Sequence, residues 1–592
     1  MSDNNEILEE NENDPGVCAE QIYSDTARKS SKKPPIPIIA GVAAVLLAAG
    51  AIATALYIKN KPSTERVNLF DYYGVSADAD EAIIYYNGNK VADYTAYIYG
   101  NLTTDGSIYF SNAFCKEYLC DKFYYDEDTL SLFYTVAEEI IIYEPGSGEW
   151  FIDADTHELY ISEALVESCS DITVDINASP AIVSLHTSDI TYDLVTFNEG
   201  EFVVRESDSV KSKILADVSE YDRWYTLDKE DYNGFAKVAN LFGLVGYVPN
   251  KAIGSDSEVL AFENDFEPVY YSDLVRDHQI ILAWHGVYVE EDNDKIADLI
   301  AEADTLNVIS PTWYYLTDAE ADMHSFASKE YVDYAHEQGL EVWPLVSDFE
   351  SGNNELDAPI LASSVLRGTM IDYLMSEAEE YGYDGYNIDF EKVQAKSGDD
   401  YVQFIRELSI ACRKAGIVLS VDNYVPRDHT EHYGRKQQGE CVDYVIVMGY
   451  DEHWAGCETA GSTASLGFVE EGIDLTLETV PARKLINGIP FYTRLWKEAP
   501  DEEGNIVLSS VAYAMKACHQ AAEDLGLTWV WDEELCQNVA QGEVDGVFYS
   551  IWLEDHDSMA VRMNMIKTKN IAGVAAWSLG NESSDIWSLL EF

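Results

Sequence analysis

The sequence predicts a multidomain protein whose C-terminal part, residues 270–592, folds as a (β/α)8 TIM barrel with an α+β insertion. The first observation is length, because 592 residues exceed what one hydrophobic core usually sustains. The second is an alternation of strand-like and helix-like runs from Gln279 onward, which is typical of a parallel α/β fold. Eight apolar runs are the predicted barrel strands: IILAWHGVY, LNVISPTWYYL, LEVWPLV, DGYNIDFE, IVLSVDNYV, YVIVMGYDE, LINGIPFY and GVAAWSLG. An extra β-hairpin is predicted between Thr528 and Trp552, before the last strand.

A β-rich module is predicted over residues 67–190, where apolar and polar residues alternate with period two. Its predicted strands lie in AIIYYNG, SIYF, SLFYT, EIIIYEP and ELYIS. The stretch YYNGNKVADYTAYIYGNLTTDGSIYF resembles the copper-amine-oxidase-like N-terminal modules of bacterial envelope proteins. No metal-ligand cluster accompanies it, so we expect no copper chemistry.

Residues 198–256 contain the runs NEGEFVVRESDSVKSKIL, DRWYTL and GLVGYVPNKAIG. They resemble a bacterial SH3-like domain, a small β-barrel with a strand carrying Arg205, a central Trp224 and a closing GYV strand. The resemblance implies a cell-wall peptide as ligand. A spacer without any ligand is an equally good interpretation.

One membrane span is predicted at residues 36–58, IPIIAGVAAVLLAAGAIATALYI, which contain no charged residue. At about 1.5 Å per residue this run can cross a hydrocarbon core of roughly 30 Å. The denser basic cluster precedes the run, which predicts an N-terminus inside the cell and everything from about Lys59 onward outside it. A cleaved signal peptide fits less well, because a long polar segment precedes the run. Residues 1–35 are the predicted disordered cytoplasmic tail.

The formal net charge is −70, from 107 acidic and 37 basic residues. A surface with this much negative charge repels nucleic acid and anionic lipid. Neither is therefore expected as a ligand. It attracts cations or tolerates a neutral substrate, or it is simply a solvated acidic surface. Cys115 and Cys120 are the only close cysteine pair; a disulfide between them is conceivable, but buried free thiols are preferred.

The fourth predicted strand, DGYNIDFE, carries the chemistry. Side chains alternate along a strand, so Asn387, Asp389 and Glu391 share one face and the apolar residues between them share the other. The polar face is expected to point into the barrel and towards its C-terminal rim, where TIM-barrel active sites lie. Two inward carboxylates are costly unless they are paired, which favours a functional role over a structural one.

This motif resembles the D-G-x-D-x-D-x-E signature of glycoside hydrolase family 18. Asp384, Asp389 and Glu391 supply three of its four carboxylates, and Asn387 replaces the other. The segment VMGYDEHWAGCETAGSTASLGFVEEGI contains a run similar to the family's M-x-Y-D and resembles the spore- and envelope-associated branch. Trp577 on the last strand matches the family's subsite-floor tryptophan.

The resemblance implies hydrolysis of a β-linked N-acetylated glycan by substrate-assisted retention. Glu391 is the expected general acid, which then activates water. The 2-acetamido oxygen of the substrate attacks the anomeric carbon. Asp389 is expected to orient the acetamido N–H, and Tyr450 to hold its carbonyl oxygen. The expected substrate-binding residues are Asp384, Asn387, Met448, Asp451, Arg494 and Trp577.

Asn387 departs from the family pattern. An amide can donate to Asp389 but cannot share a proton with it, which predicts that Asp389 lies nearer to permanent ionisation than it would in a double-carboxylate pair. Asp348 and Glu350, after the third strand, are interpreted as solvated loop charges. His285 and His453 have no partner at metal-binding spacing, so no metal and no cofactor is predicted.

The sequence is compatible with three functional hypotheses. The first is an enzyme that hydrolyses peptidoglycan, chitin-like oligomers or N-glycans, and an outward-facing tether with a wall-binding module favours peptidoglycan. The second is a non-catalytic, lectin-like envelope protein, which typically lacks the acid that Glu391 supplies here. The third is an envelope adhesin with the barrel as scaffold.

Overall fold

The computed structural model of the chain describes residues 36–77, 79–221, 223–348 and 356–592. The predicted cytoplasmic tail and Glu350 lie outside these ranges. The described residues form two compact units. One holds the residues up to Asn68 together with 195–239 and 245–256, and the other holds 69–194, 240–244 and 257–592.

The N-terminal apolar run is helix α1, Ile36–Asn60. Within it, Gly41–Asn60 is long and apolar enough to cross a membrane. All side chains over this stretch are exposed, including apolar Val45, Leu46 and Leu47. An apolar helix surface open on every side fits a membrane anchor and a signal sequence alike.

The segment up to residue 186 is a β-rich module, and each of the five predicted strands is present in it. Its main sheet has seven strands in the order β7-β8-β3-β2-β1-β10-β9, and β4, β5 and β6 form a second sheet. The elements are α2 (Leu69–Tyr73), β1 (Glu81–Tyr86), β2 (Asn89–Tyr99), β3 (Ser107–Ser111), α3 (Asn112–Phe114), β4 (Phe123–Asp126), β5 (Ser131–Thr135), β6 (Ile140–Tyr143), β7 (Trp150–Ile152), β8 (Leu159–Ser162), α4 (Glu163–Cys169), β9 (Thr173–Ala178) and β10 (Ala181–His186). The eight described cysteines, Cys115 and Cys120 among them, are free thiols.

A third sheet has the strand order β13-β12-β16-β15-β14-β11-β17. Its strands are β11 (Thr191–Phe197), β12 (Val203–Arg205), β13 (Ile214–Asp217), β14 (Trp224–Thr226), β15 (Phe235–Asn240), β16 (Val245–Pro249) and β17 (Ile253–Ala261). The predicted Arg205, Trp224 and GYV strands are β12, β14 and β16, and Trp224 is buried. The SH3-like assignment stays a prediction.

The C-terminal region is a closed barrel of eight parallel strand positions, as predicted. The strand order is β18, β19/β20, β22/β23, β24, β25, β26, β27 and β33, and β33 pairs with β18 to close the ring. The second and third strands are each broken in two, so that β19 pairs with β22 and β20 with β23. Apolar side chains such as Trp284 and Trp343 fill the interior, and a larger core lies between strands and helices.

The elements of the barrel follow in chain order: β18 (Ile280–His285), α5 (Ile296–Leu299), β19 (Val308–Pro311), β20 (Tyr314–Leu316), β21 (Met323–Ser325), α6 (Lys329–Glu337), β22 (Glu341–Val342), β23 (Leu345–Ser347), α7 (Asp357–Ala362), α8 (Ser364–Tyr381), β24 (Gly385–Asp389), α9 (Gly398–Ala415), β25 (Val418–Tyr424), α10 (Arg435–Cys441), β26 (Tyr444–Met448), α11 (Leu466–Leu477), β27 (Leu485–Pro490), β28 (Tyr492–Pro500), β29 (Ile506–Ala514), α12 (Met515–Asp524), β30 (Trp529–Asp532), β31 (Gln537–Val544), β32 (Val547–Leu553), α13 (His556–Thr568), β33 (Gly573–Trp577) and α14 (Trp587–Leu590).

The insertion before the last strand is larger than the predicted hairpin. It is a five-stranded antiparallel sheet in the order β29-β28-β32-β31-β30, with α12 packed against it. The prediction was too short at its N-terminal side because β28 begins only two residues after β27 ends, so the two strands form one continuous run in the sequence.

The β-rich module packs directly against the outer helices of the barrel. Arg367 on α8 is fully buried and donates to both carboxylate oxygens of Glu407 on α9, at 2.9 Å each. The same guanidinium donates to the hydroxyl of Tyr124 at 3.2 Å and lies 3.8 Å from the carboxylate of Asp126, both from β4. A buried charge that is paired from both sides ties the module to the helices.

Candidate active site

Strand β24 places Asn387 at the centre of the barrel interior. Its Oδ1 accepts from Trp284 Nε1 at 2.7 Å, and its Nδ2 donates to Asp422 Oδ1 at 2.8 Å and Ser420 Oγ at 3.1 Å. On the opposite face, Phe390 stacks on Phe404 of α9. The predicted division of this strand into a polar inner face and an apolar outer face is therefore confirmed.

Asp389 lies one step further towards the C-terminal rim. Its Oδ1 is buried and has no hydrogen-bond partner among the described residues. Burial, and then the neighbouring carboxylates of Glu391, Asp422 and Asp348, raise the pKa of Asp389 well above its usual range. The amide of Asn387 donates to Asp422 rather than to Asp389, so the expected amide donor to Asp389 is absent, and the effect of Asn387 on the ionisation of Asp389 stays a prediction.

Glu391 follows the last residue of β24 and is partly exposed at the mouth of the barrel. The hydroxyl of Tyr424, at the end of β25, donates to Glu391 Oε2 at 2.5 Å. The backbone of this turn is held by Asp348, which accepts from the N–H of Glu391 at 3.0 Å and from the N–H of Lys392 at 2.7 Å. The acid candidate is thus fixed at both its backbone and its carboxylate.

Asp348 is not a solvated loop charge, contrary to the expectation from the sequence. It is 1 % exposed, and burial raises its pKa to about 7 despite the two backbone N–H groups that it accepts. The sequence indicates only that Asp348 follows a strand; its contact with the Glu391 turn depends on the neighbouring strands being in register.

A cavity of about 710 Å³ opens at this rim. It brings together five predicted site residues: Glu391, Met448, Tyr450, Asp451 and Arg494. Burial raises the pKa of Tyr450 well above its usual range, so its hydroxyl stays protonated and can donate a hydrogen bond.

Asp451 adopts a left-handed backbone conformation, with φ of +56°, at the edge of the cavity. Non-glycine residues in this region are uncommon and often mark functional sites. Tyr492 donates to Asp451 Oδ1 at 2.5 Å, and the guanidinium of Arg494 lies 3.8 Å away from the same oxygen. These contacts hold the turn that follows β26.

Four predicted site residues do not line this cavity: Asn387 and Asp389, which lie on β24 as described above, and Asp384 and Trp577. Asp384 precedes β24 at the opposite, N-terminal end of the barrel, where it accepts from His336 at 2.8 Å and from the N–H of Val342 at 2.9 Å. It is therefore a structural residue, and its assignment to substrate binding is wrong. Trp577 packs against Trp284 inside the barrel, with ring centroids 5.8 Å apart, and its role as a subsite floor stays a prediction.

Three residues of the cavity or its hydrogen-bond network were not predicted from the sequence: Asp422, Tyr424 and Trp454. Asp422 and Tyr424 belong to the run LSVDNY, in which Ser420, Asp422 and Tyr424 alternate with other residues on one face of β25. That alternation is a usable signal for an inward polar row. Trp454 lines the cavity and is 55 % exposed, which is unusual for so large an apolar side chain.

Within the described part of the chain, no group of three or more His, Cys, Asp or Glu side chains is arranged to hold a metal ion. His285 is buried beside the hydroxyl of Tyr331, 2.9 Å from it, and burial lowers its pKa to about 4.

The part of the chain that contains this site is similar to known proteins. Residues 352–582 match the family model described as Glycosyl hydrolases family 18. The chain is 25 % identical over 281 residues to the "Uncharacterized glycosylase YvbX" of Bacillus subtilis, covering 45 % of this chain and 78 % of that protein. It is 25 % identical over 255 residues to the "Cortical fragment-lytic enzyme" of Bacillus anthracis, covering 42 % of this chain and 58 % of that protein. The crystal structure of the C-terminal domain of a putative chitinase from Desulfitobacterium hafniense matches 53 % of this chain and 99 % of that domain, with a TM-score of 0.49 and 21 % identity.

The matched segment contains β24, the Glu391 turn, Tyr450 after β26, and the strands that carry Arg494 and Trp577. The relatives are glycosylases, lytic enzymes and chitinases by name. The C-terminal region of this chain is a glycosyl hydrolase family 18 domain, and the prediction of a glycoside hydrolase is confirmed at that level.

Proposed function

We propose that the protein is a membrane-anchored, extracytoplasmic glycosidase that hydrolyses β-linked N-acetylhexosamine glycans by substrate-assisted retention. The observation that carries the proposal is the position of Glu391. Its carboxylate faces a 710 Å³ cavity, bonded to Tyr424, while Asp348 fixes its backbone. A carboxylic acid held in this way can protonate a leaving oxygen and later activate water.

Asp389 and Tyr450 fit the two ends of a substrate acetamido group. The unpartnered Asp389 Oδ1 is an acceptor for its N–H, and the protonated Tyr450 hydroxyl is a donor for its carbonyl oxygen. Such a clamp would orient the acetamido oxygen for attack on the anomeric carbon. The exposed ring of Trp454 offers an apolar platform for a further sugar.

An outward-facing tether and a wall-binding module favour peptidoglycan over chitin as substrate. The lining of the cavity does not separate the two glycans by charge, because it combines three basic residues, Lys392, Arg427 and Arg494, with three acidic ones, Glu391, Asp451 and Glu452. A relative named as a cortical fragment-lytic enzyme supports the same choice.

The remaining parts would hold the enzyme at its substrate. Helix α1 would anchor the chain in the cell membrane, with the catalytic domain outside. The SH3-like domain of residues 198–256 would bind a cell-wall peptide.

Protease added to intact, wall-stripped cells should remove the catalytic domain; digestion only after lysis would contradict this orientation.

The experiment that tests the activity is product analysis with the full chain in detergent. Peptidoglycan glycan strands, chitin oligomers and N-glycans would be supplied at matched concentration, and products identified by mass spectrometry. We expect cleavage at N-acetylhexosamine linkages, fastest on peptidoglycan. Absence of cleavage of all three would leave a carbohydrate-binding protein as the better interpretation.

A further inference from the structure

Asp422 lies beside Asp389 on the next strand of the barrel. Strands β24 and β25 are parallel, with Asn387 opposite Ser420 and Ile388 opposite Val421. One further step along the same register sets Asp389 opposite Asp422, and neighbouring strands lie about 4.8 Å apart. Asp422 is 2 % exposed, so it is a second carboxyl group buried in the barrel interior.

Asn387 is oriented towards Asp422 by its other contacts. The indole N–H of Trp284 can only donate, and it occupies Asn387 Oδ1 together with the Ser310 hydroxyl at 3.4 Å. The amide nitrogen must then face β25, where it donates to Ser420 and Asp422. Asn387 therefore supports Asp422 and leaves Asp389 without an amide donor.

We propose that Asp422 is the positioning residue for Asp389: the two carboxyl groups share one proton, and Asp422 keeps it while Asp389 faces the substrate. The inference rests on the proposed function, since it assigns Asp389 a task at the acetamido group. Two buried carboxylates at neighbouring strand positions cannot both ionise at low cost, so the pair carries one negative charge over a wide pH range. With the proton on Asp422, that charge lies on Asp389.

The electrostatics of the barrel interior agree with this pairing. Burial is the main cause that raises the pKa of Asp422 well above its usual range, and the charge of Glu391 adds to it, while the Asn387 hydrogen bond acts in the opposite direction. Other titratable or charged groups also face the pair: Asp348 after β23, Glu391 and Lys392 after β24, Tyr401 on α9, Tyr424 at the end of β25, Tyr433 before α10 and Tyr450 after β26. A test must therefore distinguish the effect of the Asp422 carboxyl group from the effects of Glu391 and Asp348. Exchanging the side chains of Asn387 on β24 and Asp422 on β25 does this, because Glu391 and Asp348 stay unchanged.

The test compares three full-chain variants: Asp422→Asn, the exchange Asn387→Asp/Asp422→Asn, and Ser420→Ala. The first removes the proton-sharing group. The exchange returns one carboxyl group to the other side of Asp389. The third removes a hydrogen bond to the Asn387 amide without changing any charge. The readouts are kcat and KM on an N-acetylated oligosaccharide from pH 4 to pH 9, and thermal unfolding over the same range without substrate.

For Asp422→Asn we expect kcat to fall by about tenfold or more, with little change in KM. The acidic limb of its kcat–pH profile should move to higher pH by about one unit, because Asp389 loses the protonated carboxyl group that stabilises its charge. The exchange variant should recover both the rate and the limb, whereas Ser420→Ala should lower stability without moving the limb. An unchanged limb in Asp422→Asn, or an exchange variant no better than Asp422→Asn, would overturn the proposal.

The unfolding data separate this inference from the proposed function. A carboxyl group whose folded pKa is raised lowers stability as pH rises above its unfolded value of about 3.9. Wild-type stability should therefore fall with rising pH more steeply than that of Asp422→Asn. If this difference is present but no glycan is cleaved, the proposed activity fails, while the raised pKa of Asp422 that the pair requires is retained. If glycans are cleaved and the two curves are parallel, the pair fails alone.

Discussion

Replacing Asp348 by asparagine should uncouple the Glu391 turn from the barrel. The Asp348 carboxylate accepts from two backbone N–H groups, those of Glu391 and Lys392. An asparagine can accept from only one of them, and its own NH2 group then faces the other. The variant therefore imitates the protonated form of Asp348 at every pH.

The pKa of about 7 sets the size and sign of the effect on stability. Because this value lies above the unfolded value, the folded state binds the extra proton, and wild-type stability falls as pH rises from about 4 to about 7. Three pKa units correspond to about 4 kcal/mol. Asp348→Asn lacks this loss but leaves one buried N–H unpaired, which costs about 1–3 kcal/mol. The variant should be less stable than wild type at pH 5 and equal or more stable at pH 8.

The kcat of Asp348→Asn relative to wild type should change with pH in the direction opposite to its relative stability. Above pH 7 the wild-type carboxylate holds both N–H groups, and kcat of Asp348→Asn should be lower by roughly tenfold to a hundredfold, because small displacements of a catalytic group are costly. The gap should narrow at pH 5–6. Thermal unfolding and initial rates between pH 5 and pH 8.5 would measure both quantities.

Asp443 provides a matched control. It is also buried and accepts from two backbone N–H groups, those of Leu274 at 2.6 Å and Leu419 at 2.8 Å, but it precedes β26 at the other end of the barrel. Asp443→Asn should cost stability and leave kcat unchanged. A ratio of wild-type to Asp348→Asn activity that stays constant with pH, or equals that of Asp443→Asn, would refute the role given to Asp348.

Three further predictions concern the acid, the domain contact and the cleft. Glu391→Gln should lower kcat by about 10²–10⁴-fold while oligosaccharide binding persists, with the exposed Glu337→Gln as control; wild-type turnover would remove Glu391 from the mechanism. Arg367→Met should destabilise the protein by about 3–5 kcal/mol in thermal or denaturant unfolding, because the charge of Glu407 is left buried and unpaired; a change under 1 kcal/mol would show that the module contributes little there. Trp454→Ala should raise KM for long oligosaccharides more than for short ones, and an equal change for both lengths would argue against a sugar platform.

The sequence was most informative where function depends on residues within one strand. In DGYNIDFE the alternation of side chains along β24 predicts which residues face inward, and the structure agrees. The strands of the barrel were also predictable, because each of them is a local apolar run in the sequence. Asp384 was misassigned because the motif extends past the N-terminal end of the strand.

Contacts between strands were beyond prediction from one sequence. The support that Asp348 gives to Glu391, and that Asn387 gives to Asp422, depends on which residues lie side by side in adjacent strands. The contact between the β-rich module and the barrel depends on Arg367, a residue on a helix with no distinguishing pattern. The extent of the insertion was missed because β28 begins two residues after β27 ends, and because β29 is exposed or half-exposed along its length and has no clear apolar alternation.

The substrate-assisted mechanism, with Glu391 as acid and Asp389 at the acetamido group, is tested most directly by a pair of matched oligosaccharides. One carries the 2-acetamido group on the sugar at the cleaved linkage, and the other a free 2-amino group at that position. If the acetamido oxygen is the nucleophile, the first should be cleaved with the β-anomer released first, and the second should bind but remain almost uncleaved. Equal rates on the two, or initial release of the α-anomer, would contradict the mechanism.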